Sequence, residues 1–315
     1  RAVAELAAAA AGIRRLTARR RTDLVHANTL RSALVAAAAR RLGGPRYAAF
    51  VHDALAGGIA ARTTARAIRG NAAVLFANSA FSADRFGIEP GDSRRRVVFN
   101  PIDLDALAAA RPARAATRAE LGLRPDDLVL AVVAQITPWK GQREALETFE
   151  VLRREHPQAR MLVVGEAKFV ARATRYDNRA YLAELHGLVR DRGLERDVRW
   201  LGERSDVPAI LAATDVLLVP SWAEPFGRVV VEGMATGCLV AATSVGGPAE
   251  VIADGVDGLL IAPRRTQEWA QRIGAAIARP DELRAIRGAA PAAAARFGRE
   301  SFARTMVQGY RAPCS

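Results

Sequence analysis

Short apolar runs of strand length alternate along the chain with longer segments rich in Ala, Arg, Leu and Glu. The runs predict ten strands: Leu24–Ala27, Tyr47–Val51, Val74–Ala77, Val97–Phe99, Leu128–Ala134, Met161–Gly165, Val198–Leu201, Val216–Val219, Leu239–Ala242 and Gly258–Ile261. Several are continuously apolar, as expected where both faces of a sheet are covered. Strands that alternate with helical segments predict an α/β fold with parallel sheets built from βαβ units. The pattern breaks over residues 108–127, "AAARPARAATRAELGLRPDD", which carry no strand signal. A linker is expected there, at 113–127. It would separate one doubly wound domain at 1–112 from a second at 128–298. A final helical stretch, Arg299–Tyr310, lies in a C-terminal segment 299–315 that is free to pack back on the first domain.

Composition agrees with two packed cores, since half of the 315 residues are apolar. Cys238 and Cys314 lie far apart in sequence, so a structural disulfide is not expected and a reducing, cytoplasmic setting fits. No run approaches the roughly 18 apolar residues of a membrane span, and no signal peptide is visible. The chain begins at Arg1 rather than Met, so its N-terminus is expected to be incomplete.

The net charge of +13 is uneven: residues 1–112 hold eighteen arginines against eight acidic residues, a net of +10. Runs such as Arg14-Arg15, Arg19-Arg20-Arg21 and Arg94-Arg95-Arg96 fit either a solvated basic face or weak attachment to an anionic membrane surface. No aromatic residues are interleaved for stacking, which argues against nucleic acid.

In open parallel sheets, ligands bind beyond the carboxyl ends of the strands. Polar residues occupy such places at His26 and Asn28, at His52 and Asp53, at Asn78 and Ser79, from Gln135 through Lys140, and from Glu224 through Gly227. In "SWAEPFGRVVVEGMATG" a strand ends at Pro220-Ser221 and a helix opens at Phe226-Gly227. The first N–H groups of such a helix lack intrahelical partners and favour anions. Glu224 stands in front of that end and Glu232 about two turns inside. A carboxylate accepts twice and suits a vicinal diol; two surface charges would look the same in sequence. Lys140 and Lys168 are the only lysines. Lys140, in a loop before Gly141, suits a phosphate contact or a solvated charge equally. His52 has reach into a cleft, or is an ordinary loop histidine. No metal-ligand spacing, P-loop or G-x-S-x-G signature is present.

Taken together, these motifs resemble those of retaining nucleotide-sugar glycosyltransferases with the GT-B fold, the group 1 or family 4 type. The most specific part is "EPFGRVVVEGMATGCLVAATSVGGPAEVIADGVDGLLIAP", Glu224–Pro263, which looks like the family's Glu-x7-Glu motif and its following Gly-Gly and Asp-Gly segments. "DLVHAN", "FVHD", "LFANSAFSADRF", "VVFNPIDLDAL", "TPWKGQ" and "LGERSDVPAILAATDVLLVPS" match in the same order. The resemblance implies two Rossmann-like domains facing a cleft. Glu224 would contact the donor sugar, the Phe226-Gly227 backbone the sugar and diphosphate, and Glu232 the nucleotide ribose. Lys140 would hold the diphosphate, with Gln135, Gly141 and Arg228 around it, and Asp206-Val207 would meet the base. His52 would lie near the reacting sugar, with His26, Asn28, Asp53, Asn78 and Ser79 on the acceptor side.

The sequence departs from the family where Gly-Arg is often found before the lysine, here Ala134-Gln135, and Asn-Gly-Val-Asp reads Asn100-Pro101-Ile102-Asp103. Nothing before "DLVHAN" supplies the usual opening strand and glycine-rich loop, so the first domain is expected to be incomplete at its N-terminus. The expected activity is transfer of a hexose from a nucleotide sugar to an unidentified acceptor, in cell-envelope or polysaccharide synthesis. Neither cofactor nor metal is expected. Without a covalent nucleophile, a same-face retaining mechanism is favoured. The chain is placed in the cytoplasm, at most peripheral to the inner membrane face. A non-catalytic nucleotide-sugar-binding fragment, or an epimerase or phosphorylase relative on the same fold, remain the alternatives.

Overall fold

The computed structural model describes residues 2–53, 57–168 and 175–311, so Cys314 lies outside it. The chain divides into two compact units, residues 1–101 with 299–315 and residues 102–298. All ten strands form. In the first unit β1 (Leu24–Ala27), β2 (Arg46–Val51), β3 (Val74–Ala77) and β4 (Arg95–Val97) make a parallel sheet in the order β1-β2-β3-β4. Helix α1 (Ala2–Arg19) precedes β1, and α2 (Leu30–Arg41), α3 (Ile59–Arg69) and α4 (Ala80–Arg85) connect the strands.

Successive strand residues point to opposite faces, and β2 uses both. Tyr47, Ala49 and Val51 pack with Ala33, Ala36 and Ala37 of α2 and with Ala65 and Ile68 of α3. Ala48 and Phe50 join Val74, Phe76 and Met306 on the other side. β4 lies two residues earlier than the apolar pattern predicts. Its partner β3 has only four residues, and the ladder is used up once Ala77 meets Val97. The arginine run read as surface charge is therefore an edge strand, and its side chains bind inside the unit. Arg94 donates to Arg69 O at 2.7 Å and pairs with Asp92, whose carboxyl its hydrogen bonds hold below the usual range. Arg95 donates to Asp84 and to Ile88 O, each at 2.6 Å.

The second unit begins with α5 (Leu104–Ala110) and α6 (Arg114–Glu120). Residues 113–127, where a linker was expected, are thus helix and tight turn packed into this unit. The physical reason is Arg118, which is 4% exposed. It donates to Ala213 O at 3.0 Å, Asp127 O at 3.1 Å and Asp215 at 2.6 Å. Asp215 also accepts from Arg114 at 2.6 Å and from Val129 N at 2.8 Å. An arginine-rich, strand-free segment reads as solvated in sequence; here its guanidinium groups bind the segment down.

Then come β5 (Leu128–Val133), α7 (Gln142–Glu155), β6 (Ala159–Val164), α8 (Asn178–Asp191), β7 (Val198–Gly202), α9 (Val207–Ala213), β8 (Val216–Val219), α10 (Arg228–Thr236), β9 (Leu239–Thr243), α11 (Pro248–Val251), β10 (Leu259–Ile261), α12 (Thr266–Ile277) and α13 (Pro280–Ala294). The six strands are parallel in the order β10-β9-β8-β5-β6-β7. Leu130, Val132, Met161 and Val163 face Phe149 of α7, Leu185 of α8 and Trp269 of α12. Val129, Ala131, Leu162 and Val164 face Leu121 and Ile210. Cys238 is a buried thiol donating to Leu211 O at 3.1 Å, and burial pushes its pKa up to about 11. The final helix, α14 (Arg299–Arg311), belongs to the first unit and places Met306 on its sheet. No described helix is long and apolar enough to cross a membrane.

Removing one member of a buried ion-pair cluster leaves its partners uncompensated, at about 3–5 kcal/mol. Asp215→Ala is expected to destabilise the second unit by about 3 kcal/mol in urea unfolding followed by circular dichroism. A loss below about 1 kcal/mol would show that the carbonyl groups alone hold the two arginines.

Candidate functional site

After β5 the chain adds strands toward β7, then returns to β8 beside β5 and adds strands toward β10. The connections leaving β5 and β8 therefore part in opposite directions, which opens a crevice at the carboxyl ends of these strands. Gln135–Gly141 and Pro220–Gly227 are those connections.

They are locked together by backbone. Trp222 N donates to Trp139 O at 2.8 Å. Gly141 sits at φ 74°, and a Cβ there would lie 2.2 Å from Pro220 O. A third loop closes on the other side. Glu224 N donates to Val245 O at 3.1 Å, and Gly247 N donates to Glu224 O at 2.8 Å. Gly246, at φ 104°, leaves no room for a side chain, since a Cβ would meet Glu224 O at 2.1 Å. The Gly-Gly pair is thus needed for close approach of two backbones.

Held this way, the Glu224 carboxylate meets Lys140. Nζ lies 2.7 Å from Oε2, with side-chain exposures of 20% and 8%. Ser221 Oγ donates to the same oxygen at 2.8 Å. Among the described residues Oε1 has no hydrogen-bond partner. Lys140 Nζ also lies 4.2 Å from the Trp139 ring centroid. Phe226 is buried with its ring 5.9 Å from Phe297, so it presents backbone rather than side chain. Gly227 then turns at φ 84° and α10 starts without a side-chain cap, leaving its first N–H groups for other acceptors.

Glu232 is mostly buried. Burial raises its carboxyl pKa, and Arg228, 3.5 Å away and largely exposed, pulls the other way. Such a carboxylate is costly unless something accepts its charge. Gln135 follows β5, and its carbonyl accepts from Gln142 at 2.9 Å. Asp206 and Val207 stand apart from this cluster. The Asp206 carboxylate is gripped by the Arg204 fork at 2.7 Å twice, which holds its pKa low.

In the first unit, β1, β2 and β3 bring the acceptor-side residues to one end of the sheet. His52 Nε2 and Asn28 Oδ1 are 2.8 Å apart. The His52 ring stacks on Phe50 at 4.1 Å between centroids. Asn78 is buried and donates to His52 O at 2.8 Å. Burial lowers the His52 pKa, outweighing the charge of Asp53 and a hydrogen bond with Asn100. Burial also lowers that of His26, whose Nδ1 is 2.9 Å from Tyr310 Oη. Asp53 is exposed. Ser79 has a structural use, since its buried Oγ accepts from Ser82 N and caps α4. Asn100, Trp139, Ser221 and Tyr310 are not among the site residues expected from sequence. Ser221 was within reach, as the residue that ends β8 three before the glutamate. Tyr310 was not, because nothing local ties it to His26.

Two family models match in tandem: glycosyltransferase family 4 over residues 3–106, and glycosyl transferases group 1 over residues 113–292. The chain belongs to the group 1 glycosyl transferases. A D-inositol 3-phosphate glycosyltransferase of Segniliparus rotundus is 33% identical over 233 residues, covering 71% of this chain and 50% of that protein. The chain thus spans about half the length of the curated relatives it matches. The Anabaena protein Alr3699/HepE, solved with UDP, superposes with a TM-score of 0.84 at 28% identity, covering 96% of this chain and 81% of its own. Its UDP-glucose complex gives 0.77 at 29%, covering 91% and 79%. As a group 1 member with two parallel sheets and such neighbours, the chain has the GT-B architecture.

The buried Glu232 generates a prediction about stability. Its folded pKa lies above the 4.5 of an ordinary glutamate, so the folded protein binds the proton more tightly than the unfolded chain. Stability falls as pH rises from 4.5 through the folded pKa, because the carboxylate must then be charged where it is desolvated. Glu232→Gln is expected to raise the melting temperature at pH 7–8, with the gain vanishing below about pH 4. Thermal scans across pH check this. A gain that persists at low pH would assign it to packing instead.

Proposed function

We propose that the protein transfers a hexose from a nucleotide-diphosphate sugar to an acceptor hydroxyl with retention at the anomeric carbon. The observation that carries the reading is the Lys140–Glu224 pair, set beside the uncapped start of α10 at the sheet's switch point. The HepE complexes make UDP-glucose the first donor to try.

In this reading the donor diphosphate attracts the Lys140 ammonium, which has three donors and gives one to Glu224. The α10 N–H groups meet the same anion. As the sugar–oxygen bond breaks, negative charge builds on the diphosphate, where fixed donors act with most effect. Glu224 accepts from the sugar hydroxyls and Glu232 from the ribose diol, which repays the cost of its burial. His52 and His26 are the acceptor-side element. Burial lowers both pKa values, which favours the neutral imidazole as a hydrogen-bonding partner for a hydroxyl. Weak attachment to an anionic membrane surface stays part of the reading. Exposed Arg15, Arg19, Arg20 and Arg21 carry it, not the internally bound Arg94–Arg96.

Incubation with UDP-glucose and trial acceptors, with the product's anomeric configuration read by proton NMR, tests the reading. An inverted product would overturn it. Lys140→Ala is expected to lower turnover by about 10²–10³-fold. A change confined to KM would make Lys140 a ground-state anchor. Glu232→Ala is expected to weaken nucleotide binding by about 1.5–3 kcal/mol, the worth of a charged hydrogen bond. Unchanged calorimetric affinity would remove its ribose role.

A further inference from the structure

The first unit holds a pocket of about 510 Å³ between α3 and the turn that follows α4. Four arginines line it. Arg62, Arg66 and Arg69 follow one another at intervals of four and three on α3, which places them on one helix face. Arg85 comes from the end of α4. Asp84 is the one carboxylate in the lining, and it is taken by Arg95 at 2.6 Å. Arg69 donates to Gly87 O and is thereby fixed in place.

The other three differ from the arginines at the edge of the sheet. Arg94, Arg95 and Arg96 spend their donors on carbonyl groups and carboxylates. Arg62, Arg66 and Arg85 are exposed and have no hydrogen-bond or ion-pair partner among the described residues. Like charges four apart on a helix repel, so Arg62 and Arg66 are not explained by helix stability. The start of α3 adds to the same field. Its N-cap Gly58 lines the pocket and offers no side-chain cap. Between the arginines the wall is Ala61 and Ala65, small enough to let a ligand reach the guanidinium forks.

A planar fork pairs with two oxygens of a phosphate at once, and several forks around one concavity match a phosphate better than a carboxylate. We propose that this pocket binds a phosphoryl group, carried by a soluble phosphate ester or by a lipid headgroup. It lies wholly within the first unit and shares no residue with the donor-side cluster around Lys140 and Glu224.

Calorimetric titration of the full chain with inorganic pyrophosphate at low ionic strength tests this. The Lys140→Ala background removes the other cation expected to take the probe. Saturable binding is expected, weakened about tenfold or more by Arg62→Ala/Arg66→Ala with an unchanged melting temperature. It should also weaken as salt rises. Arg85→Ala is the second variant, expected to weaken binding several-fold. Absence of saturable binding, or binding indifferent to these substitutions, would overturn the proposal. Glycerol 3-phosphate and vesicles of phosphatidylcholine with phosphatidic acid then compete with the probe. Displacement by the ester identifies a soluble ligand, and displacement by the vesicles alone identifies a headgroup. Displacement by neither would also overturn it.

Discussion

The chain leaving β8 is held by backbone on both sides, and the Lys140–Glu224 contact depends on that grip. Gly141 of the β5 loop lets Pro220 approach, and Gly246 of the β9 loop lets Glu224 approach. Neither contact would survive a methyl group without the loops moving apart. With them in place, Glu224 has little freedom, and its carboxylate reaches Lys140 from another loop entirely. The cost of desolvating both charges is offset by geometry: a 2.7 Å contact, a second donor from Ser221 and an aromatic face beside the ammonium. The same grip aims α10, so its free N–H groups and Glu232 fall on one path along the helix.

The strands were legible because a parallel sheet covered on both faces needs continuous apolar runs, and those runs stand out against Ala/Arg helices. The site was legible where chemistry and order coincide along the chain, as with Glu224 and Glu232 eight residues apart. Three things were not. The edge strand β4 carries arginines because one side of it has no strand neighbour, so apolarity marked its wrong end. The 113–127 segment looked like a linker because its cohesion comes from Arg118 reaching Asp215, 97 residues away. The contact between His26 and Tyr310 spans 284 residues, and no local pattern encodes such a distance.

The first unit solves a different problem. Its histidines sit at the ends of strands whose neighbours are phenylalanines, and ring contacts rather than backbone loops fix them. Phe50 stacks on His52 and meets His26 edge-on at 6.1 Å. Burial against these rings makes both histidines poor bases for a full charge. They remain good hydrogen-bonding partners for a neutral hydroxyl. The first unit thus offers neutral acceptors at its strand ends, whereas the second offers fixed charge and helix N–H groups.

That division extends to the choice between arginine and lysine. The chain has forty-four arginines and two lysines. Arginine clamps structure repeatedly: Arg94 on Arg69 O, Arg118 on four carbonyl groups and Asp215, Arg204 on Asp206. A planar fork with fixed donor directions suits partners that never change. Lys140 faces the opposite demand. In the proposed reaction it holds Glu224, yet turns to a diphosphate that arrives and leaves. A compact ammonium on a four-carbon stem can rotate its donors between two partners with little change in position. An arginine at 140 would keep the charge but spread it over a fork already matched to the Glu224 carboxylate. Exchange of partners would then require breaking two aligned hydrogen bonds instead of one.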